Sequence, residues 1–234
     1  MSATEIFVDY INEARLNIEQ HKLEKAEEML ALAKQLKTQI SDNNILFNYY
    51  VICSDLLVRT NRRDLCPHLW EEALEYCDDP TKRSVCAASK GMILLRMHRY
   101  DEALVSANVA LKEAADLEPI FREAPLRIIG DVYQKEEKWD EAISVFSELA
   151  AVSEITNDQM NIAFANARIA QILNKKGFPN LAIDRLFEAE QHAREYGQLE
   201  LIQKIAIWRA DIYAETGQQN KALDLLHTIA QFDV

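Results

Sequence analysis

Thiolates and imidazoles are the side chains that most often bind metals or attack carbonyls. The chain has four cysteines and five histidines in 234 residues. Cys66 and His68 lie two apart, with Cys77 and Cys86 downstream and Cys53 upstream. Zinc ligands usually come in tighter pairs on turns, and there is no Cys-x-x-Cys here, so these residues read as helix-packing thiols and a surface histidine. His21 and His98 occupy equivalent turn positions. Nothing supports a Cys–His nucleophilic pair. The paired acids Glu27-Glu28, Glu71-Glu72 and Glu136-Glu137 read as solvated helix faces. There is no Gly-x-x-x-x-Gly-Lys loop to cradle a phosphate and no Gly-x-Gly-x-x-Gly. The expectation is a non-enzymatic chain with no catalytic residue, metal or cofactor.

The elements that would position any site repeat along the chain. A small residue stands twelve places before a second small or aliphatic one at Ala14/Ala26, Cys53/Leu65, Gly91/Ala103, Gly130/Ala142, Ala170/Ala182 and Ala210/Ala222. A recurrence of about 40 residues over the whole chain points to a solenoid of paired helices. In the fifth unit, Phe164, Ala167, Ile169, Ala170 and Leu173 form one apolar stripe, and Leu181, Ala182, Leu186 and Ala189 the next. Gly177 and Pro179 between them suit a helix end and a helix start. The pattern predicts twelve helices, with Asp42, Asp64 and Asn157–Asp158 at N-termini. Pro125 is expected to force a late start of the seventh helix, near Glu123. The third helix, from Ile45 to Val58, is apolar nearly all round and must be buried on several sides. Where Gly91 faces Ala103 and Gly130 faces Ala142, helix axes can approach closely.

The run Ile129-Gly130-Asp131-Val132-Tyr133, followed by Trp139-Asp140-Glu141-Ala142, resembles the tetratricopeptide repeat pattern of Leu-Gly-x-x-Tyr then Tyr-x-x-Ala. His98-Arg99-Tyr100-Asp101-Glu102-Ala103 is similar. The resemblance covers the chain and implies an all-α, right-handed superhelical solenoid of about six helix-turn-helix repeats in one domain. The repeats fall at about 4–41, 42–79, 80–117, 118–157, 158–197 and 198–234, of the longer variety with some 40 residues each. It also implies that the first helix of each unit lines a concave groove. The groove-facing places then hold Arg127, Ile128, Asp131 and Gln134, then Ala167, Arg168, Gln171 and Asn174, then Ile207, Trp208, Asp211 and Ala214. Of these, Arg127, Asp131, Gln134, Arg168, Gln171, Asn174 and Trp208 form the candidate binding site, since amides can bond an extended backbone and arginine can grip a carboxylate. In the first half the same places hold mostly apolar residues, among them Ile11, Ile18, Tyr50, Val51, Leu57 and Met92. Ile11 and Tyr50 stand where a dicarboxylate clamp would need basic side chains.

A formal net charge of −12 argues against nucleic acid and anionic membrane as partners. No apolar run reaches the length of a membrane helix, the N-terminus does not read as a secretory signal, and the cysteine pattern suits a reducing cytoplasm. The last helix carries Ala222, Leu223, Leu226 and Ile229, with Phe232 beyond. A terminal unit needs a polar cap, so this end is expected to dock on a second copy as a homodimer or to continue into a longer protein. The function read from all this is a protein- or peptide-binding scaffold or adaptor. The alternative is a sensory or regulatory module controlling a transcriptional or signalling output.

Overall fold

The computed structural model describes residues 1–230, with side chains through Thr228; Gln231, Phe232 and the side chain of Ile229 lie outside them. Among the described residues all regular structure is helical. Contacts group the chain into two compact units, Met1–Leu117 and Glu118–Val234. The division falls between the third and fourth repeats.

The first unit holds three hairpins. α1 (Ala3–Glu19) packs on α2 (Leu23–Leu36), α3 (Asn43–Arg59) on α4 (Cys66–Ala73), and α5 (Pro80–Arg96) on α6 (Tyr100–Glu113). Short 3-10 turns follow α2 and flank α4. α1 opens on a capping box: Glu5 N donates to Ser2 Oγ at 3.2 Å and Ser2 N to Glu5 Oε2 at 2.6 Å. Asp42 and Asp79 cap α3 and α5 through their carboxylates. The second unit repeats the plan with α7 (Ile120–Lys135) and α8 (Trp139–Thr156), α9 (Gln159–Lys175) and α10 (Pro179–Tyr196), and α11 (Leu199–Glu215) and α12 (Gln219–Ala230). Here Asp158 caps α9 by accepting from Asn161 N at 2.9 Å, whereas Asn157 ends α8 in the left-handed conformation.

One turn geometry recurs inside every hairpin. His21, Asn61, His98, Glu137, Gly177 and Gly217 all have positive φ. The next residue's N–H reaches back to close the end of the first helix, as in Lys22 N to Asn17 O, Arg99 N to Leu94 O and Phe178 N to Leu173 O. This is the Schellman closure, which satisfies carbonyls that the helix itself cannot.

The same turns correct the sequence register of the second repeat. In the other five, the second small residue stands five places after the left-handed one and the first stands seven before it. Applied to Asn61, this rule selects Ser54 and Cys66 in place of Cys53 and Leu65. Burial agrees, for Cys66 is 0% exposed and Leu65 49%. Asp64 sits within the 3-10 turn before α4 and caps nothing.

α3 is buried by its own unit. Leu46, Tyr49, Tyr50, Ile52 and Leu56 pack against α1, α2, α4 and the turn after α4. The Tyr50 ring stacks on Tyr76 with centroids 5.5 Å apart. Its hydroxyl accepts from Lys37 Nζ and donates to Glu72 at 3.2 Å. Burial pushes this hydroxyl up to about 12, against the pull of Lys37.

α7 does not start late. It runs from Ile120 straight through the buried Pro125. The lost amide falls early, where the helix is already held by 3-10-type bonds from Phe121 N and Arg122 N to Glu118 O and Pro119 O. The buried Glu123 carboxylate anchors this end by accepting from Thr156 Oγ1 and from Asn161 Nδ2 at 3.0 Å. Behind it, Phe146 fills the space over Gly130: a Cβ added there would stand 2.5 Å from the ring. Small residues on α9 and α10, including Ala163, Ala170, Ala182 and Ala189, form a core with Leu186, Ile205 and Ile212. On α12, Ala222 is buried while Leu223 and Leu226 are exposed.

Candidate functional site

Helical spacing fixes which side chains share a face. On α7, Arg127, Asp131 and Gln134 are spaced four and three apart. On α9, Arg168, Gln171 and Asn174 are each three apart. The structure brings these two rows together. Arg168 Nε lies 3.1 Å from an Asp131 carboxylate oxygen, close enough for an ion pair but off the line of a hydrogen bond, so Nε is left without one. Arg168 Nη1 donates to Gln171 Oε1 at 3.2 Å, and Gln134 Nε2 donates to the same oxygen at 3.3 Å. Asn174 Nδ2 donates to Glu215 on α11 at 3.0 Å.

All seven candidate residues lie in the second unit, around two neighbouring hollows. The first, of ≈ 420 Å³, is lined by Gln134, Arg168, Gln171, Asn174 and Trp208, with Lys135, Lys175, Asp211 and Glu215 among the others. The second, of ≈ 470 Å³, is lined by Arg127, Arg168 and Trp208, with Met160, Phe164, Leu201 and Lys204. Arg168 and Trp208 belong to both. Asp131 lines neither hollow and acts from behind, through Arg168.

Phe164 joins the two arginines. The Arg127 guanidinium carbon sits 3.9 Å from its ring centroid and that of Arg168 4.9 Å, within the range of cation–π attraction. Burial pushes the Asp131 carboxyl above the ordinary value, and the cations Arg168, Arg127 and Lys135 oppose it. Its side chain is 15% exposed.

Phe164, Met160, Lys204 and Leu201 are missing from the sequence-derived set. A signal for them exists. The face that carries Arg168, Gln171 and Asn174 extends backward by fours to Phe164 and Met160. On α11 the face of Trp208 extends to Lys204 and Leu201. The groove rule covered only two turns around each small residue and stopped short.

The equivalent places in the first unit do not make a comparable surface. Ile11, Ile18, Tyr50 and Ala88 are core residues, so their apolar character is explained by packing. With the corrected register the second repeat contributes Val51, Ile52, Asp55 and Val58, and Val51 is no more basic than Tyr50 was. Among the described residues no group of three or more His, Cys, Asp or Glu side chains is placed to hold a metal. No described helix is long and apolar enough to cross a membrane.

No protein-family model and no curated sequence matches the chain. Solved structures do. A signal-transduction ATPase with numerous domains from Pyrococcus horikoshii, which carries a tetratricopeptide repeat sensor, superposes with a TM-score of 0.85 at 18% identity. The match covers 99% of this chain and 37% of that one. A Rap protein in complex with competence and sporulation factor gives 0.78 at 15%, covering 99% and 66%. The apo form of the quorum sensor NprR from B. thuringiensis gives 0.75 at 13%, covering 97% and 65%. The chain thus spans from about a third to just under two thirds of these proteins. At such identities the likeness carries the fold: this is the tetratricopeptide-type, all-α helical solenoid.

Proposed function

We propose that the chain is a binding scaffold, not an enzyme, and that it holds a peptide or protein segment along the faces of α7, α9 and α11. One observation carries this reading. Helices from three successive hairpins present amides and guanidinium groups around two hollows that share Arg168 and Trp208. An extended segment has an unpaired N–H and C=O at each residue, and the side-chain amides of Gln134, Gln171 and Asn174 can both donate and accept. The helices supply rigidity, so little ordering cost falls on the protein when it binds. The acidic balance of the chain favours a segment over nucleic acid or an anionic membrane, and its free thiols suit the cytoplasm.

The test is calorimetry against peptides selected from a random peptide library. The double variant Gln171→Ala/Asn174→Ala should bind the selected peptides about tenfold more weakly or worse while unfolding at an unchanged temperature. Equal affinity would remove these faces as the site.

A second reading, a sensory or regulatory module, draws support from the archaeal ATPase, in which the matched share belongs to a protein with a tetratricopeptide repeat sensor. It requires that segment binding change the activity of an output domain or output protein. Measuring that output with and without the selected peptide decides it, and an output indifferent to the peptide removes this reading.

A further inference from the structure

All four cysteines lie in the first unit as free thiols, and two of them meet. Cys77 stands at the exit of the 3-10 turn Leu74–Tyr76, and Cys86 in the second turn of α5. The Cys77 Sγ donates to Ala73 O at 3.3 Å and the Cys86 Sγ to Trp70 O at 3.1 Å. These carbonyls are three residues apart on α4, neighbours along one side of the helix. Arg83, three places before Cys86 on the same face of α5, donates to the Cys77 carbonyl at 3.5 Å. Held between these anchors, the two thiols share a hydrogen bond. Cys53 and Cys66 pair with hydroxyls instead, those of Tyr49 and Ser54.

The two thiols are not equivalent. Cys86 is 1% exposed, whereas Cys77 is 8% exposed and lies outside any helix. The hydrogen bond from Cys86 lowers the Cys77 thiol from its ordinary value against the effect of burial, with Lys82 assisting and Asp79 opposing. The same bond, together with burial, raises Cys86. Burial also raises Cys66 and pushes Cys53 up to about 11. Of the four, only Cys77 is shifted towards the thiolate, which is the reactive form.

We infer that Cys77 and Cys86 form a redox site, in which a hydroperoxide oxidises Cys77 and Cys86 resolves it to an internal disulfide. The Cys77 sulfur attacks one peroxide oxygen, the O–O bond breaks, and the hydroxide that leaves takes up the proton Cys77 gave, forming water. The Cys86 sulfur then attacks the sulfenic sulfur of Cys77. The S–S bond forms as the S–O bond breaks, and the second water leaves with the Cys86 proton. Two thiols lose two electrons and one hydroperoxide gains them. In a reducing compartment the bond is transient, and exchange with a small thiol returns both cysteines. While it lasts, it ties the turn after α4 to α5, and so the second hairpin to the third. This site is independent of the scaffold reading above.

The experiment treats the folded full chain with hydrogen peroxide, alkylates the remaining thiols in denaturant, and maps the peptides by mass spectrometry. A peptide linked through Cys77 and Cys86 should appear, with Cys53 and Cys66 still alkylated, and dithiothreitol should abolish it. Cys77 should be lost about tenfold faster than Cys53 or Cys66. In Cys86→Ser the reaction should stop at a Cys77 sulfenic acid that dimedone traps, and in Cys77→Ser the remaining Cys86 should stay reduced. Thermal unfolding of each variant checks that it is folded, and the mapping of the unaltered chain decides even where a variant is not. Earlier loss of Cys53 or Cys66 overturns the inference. So does a Cys77 oxidised to sulfinic acid beside a free Cys86, a linked peptide that forms only in urea, or a folded chain whose Cys77 does not react.

Discussion

Asp131 shows how burial and ion pairing compete at one carboxylate. Its proton is held above the ordinary value of 3.8 because loss of hydration outweighs the attraction of Arg168, Arg127 and Lys135. The folded chain therefore binds this proton more tightly than the unfolded chain does. The resulting stabilisation is fully present below the unfolded value and is lost as pH rises through the folded one. Asp131→Asn cannot contribute it. The stability difference between the parent and this variant, from urea unfolding at a series of pH values, should fall as pH rises above about 4 and then level off. A difference that rises with pH would mean that the cations outweigh burial, and one independent of pH that the two cancel. The seven candidate residues came from the groove positions that the tetratricopeptide resemblance implies, and helical spacing sets those of one helix three and four apart. Phe164 was not among them, since a lone aromatic on an amphipathic helix looks like core until its neighbours are known.

At the level of the helix and its turn, two substitutions test the account. Gly130→Ala would place a methyl group 2.5 Å from the buried Phe146 ring. Overpacking of this kind costs about 1–3 kcal/mol. Adding Phe146→Leu should recover part of that loss in the same denaturation assay, because the shorter side chain vacates the contact. Glu137 is an exposed non-glycine residue at φ 59°, where glycine carries no Cβ penalty. Glu137→Gly should raise stability by about 0.5 kcal/mol, the relief at Cβ exceeding the entropic cost of glycine. A lowered midpoint would show that the Schellman turn is not what sets this position. The turn also explains why the second repeat was misread by one residue. Cys53/Leu65 and Ser54/Cys66 keep the same twelve-residue spacing, and both first members are small. Only the left-handed residue Asn61 and the burial that follows from it separate the two.

Across the whole molecule, each compact unit builds its own core. That of Met1–Leu117 centres on Phe7, Ile11, Tyr50 and Trp70, while that of Glu118–Val234 includes Ala170, Leu186 and Ile205. A unit with its own core meets the main requirement for folding alone. A fragment of residues 118–234 is expected to unfold cooperatively and to keep the affinity of the full chain for the selected peptides, because every residue lining the two hollows lies between Arg127 and Glu215. A fragment that is helical yet does not bind would transfer part of the site to residues 1–117.

The amino-acid sequence alone determined the twelve helices seen among the described residues, their pairing into hairpins and most of their ends. Those properties follow from local periodicity, helix caps and the few residues that tolerate positive φ, all of which act within a few neighbours along the chain. The tertiary structure decided what covers each apolar face: α3 had to be buried on several sides, and it is α1, α2 and α4 that wrap it. It also decided that Pro125 lies within α7, held by Glu123 bonding to Thr156 and Asn161 more than thirty residues away, and that Arg168 is shared between two hollows with Asp131 behind it. Such arrangements depend on contacts between residues distant in the chain, and no spacing rule within one helix encodes them.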